Sequence, residues 1–496
     1  MSKVKNKEKN SFINKYSKFA AILLIISSIA FCIVLSMLGI LPENYFLVII
    51  GGLLVFIVLF TLIAFLKGVN NFNKIIQSVI CTILSISLIL ASIGIEIYKD
   101  KIRNIFTNTE SVTLYVYTLK DSPINVADDL GNTVMGLSSL TNQTVQTTAF
   151  DDLSGYLNKY ELGDITTNTY SGLRNIVDAL YNHEVDSIMV QSNLIDFIEE
   201  LDNYSDFETR VKIVYESTHK VTIKGSDSNF IIKNITKDPF IFAIGGRDNN
   251  GHFDVNMAVT VNPYTKQVLI VTIPRDAYSP LDGDYNKMDK LAYTGQLNST
   301  VWFNTLQLYF DYNFNFYAIA DFNSIMDVID VLGGIDVYNP YYFTATSTRG
   351  YTYYYPEGDI HLNGGETLAY CRERKSLENG DLSRNEHQSI VLKALIKKLT
   401  SSSIVSRADD ILNTLEGEIK TDFPSDYLYK LISMQLKDNA GWNIKTYNVQ
   451  ADLFYTYSYM IGHEYGPNYA MMDIHEDSLT EANNLIKQVL DNNTLE

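Results

Sequence analysis

A segment near residue 370 concentrates the side chains best suited to bind an anion. Arg372 and Arg374 follow the apolar run 368–371, and Arg384 and Gln388 lie four residues apart on one face of a predicted helix. The chain as a whole is acidic, with 39 Lys and Arg against 57 Asp and Glu. Because guanidinium groups match phosphate oxygens in pairs and lysine cannot copy that geometry, we predict an anion site here.

A local ion-pair cluster is the alternative interpretation of the same segment. In that case three neighbouring carboxylates neutralise the arginines: Glu373, Glu378 and Asp381. The sequence alone leaves both interpretations open.

Further charged residues follow two predicted strands in the middle of the chain. The apolar run 240–244 predicts a buried strand, and it ends in a glycine-containing loop that carries Asp248. The strand predicted at 267–273 runs into Arg275 and Asp276, and Asp276 is a candidate base or orienting group. Side chains at the ends of apolar strands are well placed to face a pocket.

These residues together carry the ligands of a hard cation and the donors that suit phosphate. That combination predicts phosphoryl transfer, in which positioning and charge neutralisation do most of the catalysis. No P-loop and no His-Glu-x-x-His zinc pattern is present. The candidate residues are Asp248, Asp254, Arg275, Asp276, Lys290, Arg372, Arg374, Asp381, Arg384 and Gln388.

The composition excludes two other classes of protein. A formal net charge of −18 argues against nucleic acid as a partner, because phosphate backbones are bound by positive faces. Three cysteines cannot form a disulfide framework, which suits a Gram-positive cell surface or the cytosol.

Three apolar runs, at 19–41, 45–66 and 75–97, predict three membrane-spanning helices. Each has about the 20 residues that a bilayer-spanning helix needs. The first is too long for a signal-peptide core and lacks a small-residue cleavage site. The basic N-terminus and the lysines in the second loop predict a cytoplasmic N-terminus and an extracellular C-terminal region, although positive charges after the third run oppose this orientation.

The rest of the chain predicts an α/β fold in two parts, the second with its sheet covered by helices. The domain boundaries are a cytoplasmic tail at 1–18, membrane helices at 19–97, a linker at 98–110, an extracellular accessory domain at 111–235 and a catalytic domain at 236–496, with its motifs at 240–400.

The accessory domain carries no evident catalytic group. Its pattern predicts a helix at 126–140, a polar loop at 141–148 and a helix at 170–181. His183 and His219 stand alone and are more typical of surface or core histidines than of metal ligands. We interpret this domain as an accessory or docking module.

The order of motifs between residues 240 and 400 resembles the LytR-CpsA-Psr family of cell-envelope proteins. Each motif alone is weak, but eight in the right order are specific. The three spans with an accessory domain resemble the capsule-type members, which implies other capsule-assembly proteins as candidate contacts of that domain. The matching segments are 244–248, 254–257, 273–276, 289–291, 332–337, 362–364, 368–374 and 381–388.

The resemblance implies a membrane-anchored phosphotransferase with a mixed central sheet. Such a protein moves a glycopolymer, capsular or teichoic-acid-like, from an undecaprenyl-pyrophosphate carrier to peptidoglycan and forms a phosphodiester. It implies that Asp248 and Asp254 hold Mg²⁺, and that the polyprenyl tail lies in an apolar groove between sheet and helices. It also implies that the phosphate oxygens are bound by a basic set with one amide: Arg275, Arg372, Arg374, Arg384 and Gln388, with Lys290 nearby.

Three positions depart from the family pattern. His252 and His387 stand where the family usually has arginine, and Tyr293 stands where it usually has histidine. We include both histidines among the candidate substrate-binding residues. Two permanent charges would then become pH-dependent ones, and binding would weaken as pH rises through about 6 to 7.

Two other functions remain as alternatives. The first is a non-catalytic protein that binds a lipid-linked glycan and regulates capsule or envelope assembly, which the histidine substitutions favour. The second is a transcriptional regulator, which would need a basic cytoplasmic reader. Only the N-terminal tail and one short loop are predicted to be cytoplasmic, which disfavours the second alternative.

Overall fold

The three apolar runs form three long helices. The structure, a computed structural model, describes residues 2–39, 41–201, 203–225, 232–248, 250–346, 350–401, 408–415, 417–462 and 468–495. The N-terminal helices are α1 (Ser2–Leu38), α2 (Glu43–Phe65) and α3 (Asn71–Ile105). Each contains a stretch long and apolar enough to cross a membrane, as predicted: Asn10–Leu38, Glu43–Phe65 and Asn71–Asp100.

The basic N-terminal segment is part of α1, because lysine, glutamate and asparagine continue a helix that contains no proline or glycine before Gly39. These helices form one unit of the chain together with Pro424–Ala440, which contains α14 (Ser425–Asp438). The second unit comprises Phe106–Phe423 and Gly441–Glu496. Residues 98–110, assigned above to a linker, include the end of α3 and a short strand, β1 (Phe106–Thr107).

The accessory domain is a five-stranded mixed sheet with helices. Its strands follow the order β4-β3-β5-β2-β6, in which β3 runs parallel to β4 and β5 while β2 runs antiparallel to β5 and β6. The strands are β2 (Thr109–Leu119), β3 (Val134–Ser138), β4 (Thr166–Tyr170), β5 (Ser187–Gln191) and β6 (Val211–Thr222). The helices are α4 (Gln143–Lys159), α5 (Leu173–Tyr181), α6 (Ile195–Glu199) and α7 (Phe207–Arg210).

Two secondary-structure predictions in this domain are wrong. The predicted helix at 126–140 is a short 3-10 turn followed by β3, because Asn132, with φ of 62°, interrupts the helical path and the sheet then pairs β3 on both sides. The predicted loop at 141–148 begins α4, which Asn142 caps by accepting a hydrogen bond from the Val145 N–H. Apolar residues four apart on α4, such as Val145 and Ala149, face the core.

The larger domain is built on a seven-stranded mixed sheet, as expected. Its order is β1-β17-β12-β7-β8-β9-β18, and β7, β9, β12 and β18 share one direction through parallel and antiparallel pairings. The strands not yet given are β7 (Phe240–Arg247), β8 (Phe253–Asn262), β9 (Gln267–Thr272), β12 (Phe316–Asp321), β17 (Ile419–Thr421) and β18 (Asn443–Asn448).

Helices cover both faces of this sheet. Side chains on both faces of its central strands are therefore buried, which explains why these strands are continuous apolar runs in the sequence. On one face Met257 and Ile270 pack with α12; on the other, Ala258 and Val271 share a core with α9 and α15. The helices are α8 (Thr294–Leu297), α9 (Ser299–Gln307), α10 (Phe322–Val331), α11 (Gly364–Arg372), α12 (Asp381–Leu399), α13 (Ala408–Leu415) and α15 (Glu476–Leu490).

Four antiparallel strand pairs complete the domain. The tyrosine-dense segment predicted to be extended forms one of them, β14 with β15. The pairs are β10 (Tyr278–Pro280) with β11 (Met288–Lys290), β13 (Ile335–Asn339) with β16 (Gly358–Leu362), β14 (Phe343–Thr346) with β15 (Thr352–Tyr355), and β19 (Ala451–Thr456) with β20 (Tyr469–Ile474).

Candidate active site

The sheet topology brings three aspartates and one arginine together at the same end of three neighbouring strands. Strands β7 and β9 are both antiparallel to β8, so both end on the side of the sheet where β8 begins. Asp248 directly follows β7, Asp254 lies at the start of β8, and Arg275 with Asp276 follows β9. The predicted placement of charged groups after buried strands therefore produces one cluster.

Asp254 occupies a β-bulge at the start of β8. Gly246 pairs with Val255 and Arg247 pairs with Phe253, so Asp254 is the extra residue on β8. A bulge redirects a side chain and bends its strand, and bulges are common next to active sites. The Asp254 carboxylate accepts a short charge-assisted hydrogen bond from Arg275 Nη1.

Asp276 forms ion pairs with two basic residues. Its Oδ1 lies 3.0 Å from Lys290 Nζ and 3.7 Å from Arg275 Nε. Burial raises the pKa of Asp276, but the charges of Arg275, Lys290 and Arg384 outweigh it and hold the pKa below its usual value. An ionised carboxylate held by cations is a weak base, so the geometry favours the orienting role for Asp276 over the role of base.

Helix α12 contributes a second ion pair, between Asp381 and Arg384 Nη2. The local-pairing alternative expected this contact, but the pair leaves the Nε–H of Arg384 without a partner among the described residues. Burial raises the pKa of Asp381 above its usual value despite the charges of Arg384, Arg275 and Arg374. The Thr272 and Ser389 hydroxyls lie 2.7 Å apart, and Gln388 donates to the Cys371 carbonyl oxygen, so the end of β9, the end of α11 and the first half of α12 meet at one place.

The two arginines after the apolar run 368–371 have different environments. Arg372 ends α11 and lies over the Phe322 ring, with 5.1 Å between the guanidinium carbon and the ring centre. Arg374 is exposed beyond the helix. Glu373 accepts hydrogen bonds from the backbone N–H groups of Arg374 and Ser376, at 3.0 and 2.8 Å.

The buried guanidinium groups retain unused donors. Among the described residues, neither the Nε–H of Arg275 nor that of Arg384 has a hydrogen-bond partner, although both atoms are buried. Buried polar groups without partners are costly, and such groups are commonly explained by a ligand, water or ion. Two N–H donors are therefore available for the oxygens of an anionic substrate.

The loop between β7 and β8 is organised by Asp248. Its Oδ1 accepts hydrogen bonds from the backbone N–H groups of Asn250 and His252, and its Oδ2 lies 3.2 Å from His252 Nδ1. Burial raises the pKa of Asp248, but His252 and the charge of Arg275 together lower it below the usual value. His252 thus positions a candidate metal ligand.

The donor set around these two aspartates suits Mg²⁺. Carboxylate oxygens are its preferred protein ligands, and it is commonly bound by one or two of them together with substrate phosphates and water. Within the described part of the chain, no three His, Cys, Asp or Glu side chains gather as a metal site. Asp248 and Asp254 supply the carboxylate donor type at the end of β7 and the start of β8.

His387 lies on α12 in an aromatic core. Its ring stacks on Tyr370 at 4.2 Å and on Phe343 at 4.6 Å, and Nδ1 lies 3.1 Å from the Tyr370 carbonyl oxygen. Burial lowers the pKa of His387 to about 4. His387 is therefore neutral at pH 6 to 7 and does not supply the pH-dependent charge that the sequence predicted for phosphate binding. The neighbouring Gln388 side chain donates to the Cys371 carbonyl oxygen at 3.4 Å.

We expect His387 to make the free energy of unfolding of this domain depend on pH in the acid range. The pKa is 6.5 for an ordinary histidine and about 4 here, so the unfolded chain binds more protons between these values. Stability is therefore fully present above pH 6.5 and lost as pH falls toward 4, by roughly 3 kcal/mol. We expect the thermal midpoint of a His387→Gln variant to fall less over this window than that of the parent. Equal falls in both would contradict this assignment.

Sequence reasoning missed three residues that support the site. Asp289 is fully buried and accepts hydrogen bonds from Ser458 Oγ and the Met460 N–H, and burial raises its pKa to about 6. Its place beside Lys290 in a matched motif was an available signal. Phe197 and Glu200 of the accessory domain also contact the site loops, and no local pattern distinguishes them from ordinary helix residues.

Comparison with known proteins identifies relatives across the larger domain. The profile of the LytR_cpsA_psr family matches residues 199–487. The chain is 33% identical over 227 residues to the polyisoprenyl-teichoic acid–peptidoglycan teichoic acid transferase TagU of Bacillus licheniformis, covering 44% of this chain and 70% of that protein. It is 30% identical over 225 residues to TagU of Bacillus mycoides, covering 44% and 71%.

Among solved structures, the crystal structure of Bacillus subtilis TagV aligns at 27% identity and a TM-score of 0.43. The alignment covers 52% of this chain and 99% of that one. The family profile spans more than half of the present sequence and includes every candidate site residue named above. The chain therefore belongs to the LytR-CpsA-Psr family.

Proposed function

We propose that this chain is a membrane-anchored, Mg²⁺-dependent phosphotransferase of the cell envelope. It attaches a glycopolymer, capsular or teichoic-acid-like, from an undecaprenyl-pyrophosphate carrier to peptidoglycan through a phosphodiester. Its relatives named above are transferases of polyisoprenyl-linked teichoic acid to peptidoglycan, and the family relationship supports the same class of reaction.

One observation carries the proposal: Arg275, Lys290 and Arg384 form ion pairs with the buried carboxylates of Asp276 and Asp381, and the buried Nε–H groups of Arg275 and Arg384 have no partner among the described residues. A site that existed only for stability would pair its buried donors. The N-terminus of α12, a 19-residue helix, adds favourable potential for an anion at the same place. A pyrophosphate supplies enough oxygens to use these groups.

The residues divide the chemistry between them. A hydroxyl oxygen of peptidoglycan attacks the phosphorus bonded to the glycopolymer, and the bond from that phosphorus to the bridging oxygen breaks. Undecaprenyl phosphate leaves with that oxygen, and the hydroxyl proton passes to solvent or to a carboxylate. Arg275 and Arg384 bind the phosphate oxygens as negative charge shifts to the leaving group. Asp276 and Asp381 hold these cations in place.

Asp248 and Asp254 would hold the metal in this scheme. When bound, Mg²⁺ neutralises charge on the pyrophosphate and polarises the phosphorus–oxygen bond. His252 fixes the Asp248 carboxylate through Nδ1 and through its backbone N–H. Arg275 fixes Asp254, so both carboxylates are oriented before substrate arrives.

The test is turnover by the full-length chain in detergent or nanodiscs. We expect undecaprenyl phosphate to be released from an undecaprenyl-pyrophosphate oligosaccharide when Mg²⁺ and a peptidoglycan fragment are present, with the oligosaccharide joined to that fragment. Omission of either Mg²⁺ or the acceptor is the control. Tight binding of the lipid without release under any of these conditions would contradict the transferase.

The non-catalytic alternative has one observation in its favour. The Asp248 carboxylate is already engaged on both oxygens, by His252 on one side and by two backbone N–H groups on the other. Metal coordination must share these lone pairs. A protein that binds the lipid-linked glycan and regulates envelope assembly would show binding without release in the same assay.

The proposal also places the C-terminal region outside the cell. The basic N-terminus and the three candidate membrane helices motivate this orientation. Protease added to intact protoplasts should digest the chain beyond Lys99 and leave the membrane helices. Protection of the whole C-terminal region, with digestion only after lysis, would contradict both the orientation and an envelope function.

A further inference from the structure

The accessory domain reaches the site loops through one aromatic residue. The Phe197 ring on α6 meets the His252 ring edge to face, with centroids 5.7 Å apart, and lies 4.7 Å from the Tyr293 ring. His252 and Tyr293 are themselves 5.5 Å apart. All three side chains are buried, with exposures of 2%, 4% and 8%. Phe197 therefore forms a closed cluster with two of the positions that depart from the family pattern.

Polar contacts flank this cluster on both sides. Glu200 accepts a hydrogen bond from the Asn250 side chain at 2.7 Å, and Asn193 donates to the Gln296 carbonyl oxygen at 3.2 Å. The Gln296 side chain in turn donates to the Asn250 carbonyl oxygen. The segment 193–200 thus contacts two segments of the larger domain, the loop before β8 and the start of α8 with Tyr293, and these two segments also contact each other.

The two segments are packed without spare room. A Cβ added at Gly295 would lie 2.0 Å from the Gly251 carbonyl oxygen, so no side chain fits between these two backbones. Asn250 and His252 supply the backbone N–H groups that hold Asp248 Oδ1, and His252 Nδ1 approaches Oδ2. The two residues that orient Asp248, Asn250 and His252, are therefore also the residues whose side chains the accessory domain contacts.

We propose that Phe197 and Glu200 are positioning residues of the active site, acting through His252 and Asn250 on Asp248. The proposal rests on the transferase function and assigns the accessory domain a part in it. Loss of the Phe197 ring leaves the imidazole free to turn away from Asp248. The carboxylate then loses its fixed direction, and turnover falls while binding of the acceptor is unaffected.

Hydrogen exchange and turnover of the full-length chain test this together. We expect the peptide containing residues 248–252 to exchange about ten-fold faster in Phe197→Ala, with kcat reduced by a similar factor and KM for the acceptor unchanged. Phe207→Ala is the matched control, since Phe207 is fully buried in the same core and contacts Tyr117 instead. It should lower the thermal midpoint and leave both readouts unchanged.

A second pair of variants covers a failure of Phe197→Ala to fold. Glu200 is exposed at the C-terminal end of α6, so Glu200→Ala should fold. This variant should raise the exchange rate of the peptide 248–252. Glu200→Gln keeps an acceptor for Asn250 and should restore the parent exchange rate. Parent-like exchange and kcat in Phe197→Ala and Glu200→Ala, or equal losses in Phe207→Ala, would overturn the proposal. A parent that shows no turnover would instead overturn the transferase function, and the exchange data would still decide the positioning.

Discussion

Arg384→Lys is expected to lower the affinity of the full-length chain for a polyprenyl-pyrophosphate lipid nearly as much as Arg384→Ala. Arg384 is 4% exposed, one nitrogen pairs with Asp381, and Nε–H has no partner among the described residues. A charge-assisted hydrogen bond is worth about 1.5–3 kcal/mol, so the loss should be roughly ten- to a hundred-fold. Lysine keeps the charge but cannot donate in the same fork.

The measurement is lipid binding at fixed pH and salt, with thermal unfolding as a check on folding. Arg210→Lys is a matched control, because Arg210 lies over the Tyr181 ring in the accessory domain, 3.7 Å from its centre, and takes no part in the proposed site. Its affinity should equal that of the parent. Arg275→Lys combined with Arg384→Lys should lose less than the sum of the single losses, because both act on the same oxygens. Parent-like affinity in Arg275→Ala and Arg384→Ala would leave the phosphate site without support.

Asp254→Ala is expected to remove Mg²⁺-dependent turnover. Residues that merely support a metal ligand already change affinity or activity about 10- to 100-fold, so loss of a ligand should reduce kcat/KM by roughly a hundred-fold or more. Asp254→Asn is the milder companion, because it keeps one oxygen for the metal and for Arg275 while removing the charge. A Mg²⁺ titration at fixed lipid concentration should show a higher metal requirement in the Asn variant.

A carboxylate elsewhere in the same domain provides the control. Asp330 accepts a hydrogen bond from the Gly364 N–H at 2.7 Å, so Asp330→Ala removes a structural contact of α11. We expect that variant to unfold at a lower temperature and to keep the parent's response to Mg²⁺. Asp248→Ala should behave like Asp254→Ala. Unchanged activity and metal response in Asp254→Ala would show that this carboxylate holds no metal.

Much of the architecture could be predicted because it depends on short-range patterns. Three runs of sufficient length and hydropathy predicted α1 to α3, and the apolar stretch before Asp248 predicted the buried strand β7. The order of motifs predicted the family, which the profile over residues 199–487 confirms. The arginines near residue 370 and Arg275 after β9 were recognisable as one chemical set, although their convergence was an inference.

Predictions failed where a tertiary contact overrode the local pattern. The segment at 126–140 has a helical period but contributes β3, because pairing with β4 and β5 on both sides and the burial of Met135 outweigh the local preference. His387 stands at a position where a donor to phosphate was expected. Its helix instead turns it toward Tyr370 and Phe343, whose rings remove it from water and lower its pKa.

The sequence by itself determined the membrane anchor, the buried strands and the residues that could do the chemistry, because length, period and side-chain type are local properties. Only the tertiary structure decided which of those residues meet. The bulge that presents Asp254 depends on the register of β7 against β8, the pairing of Arg275 with Asp254 depends on a third strand, and the contact of Phe197 with His252 depends on how two domains pack. Registers and domain contacts are set by the combined burial of residues far apart in the chain, so no single segment encodes them.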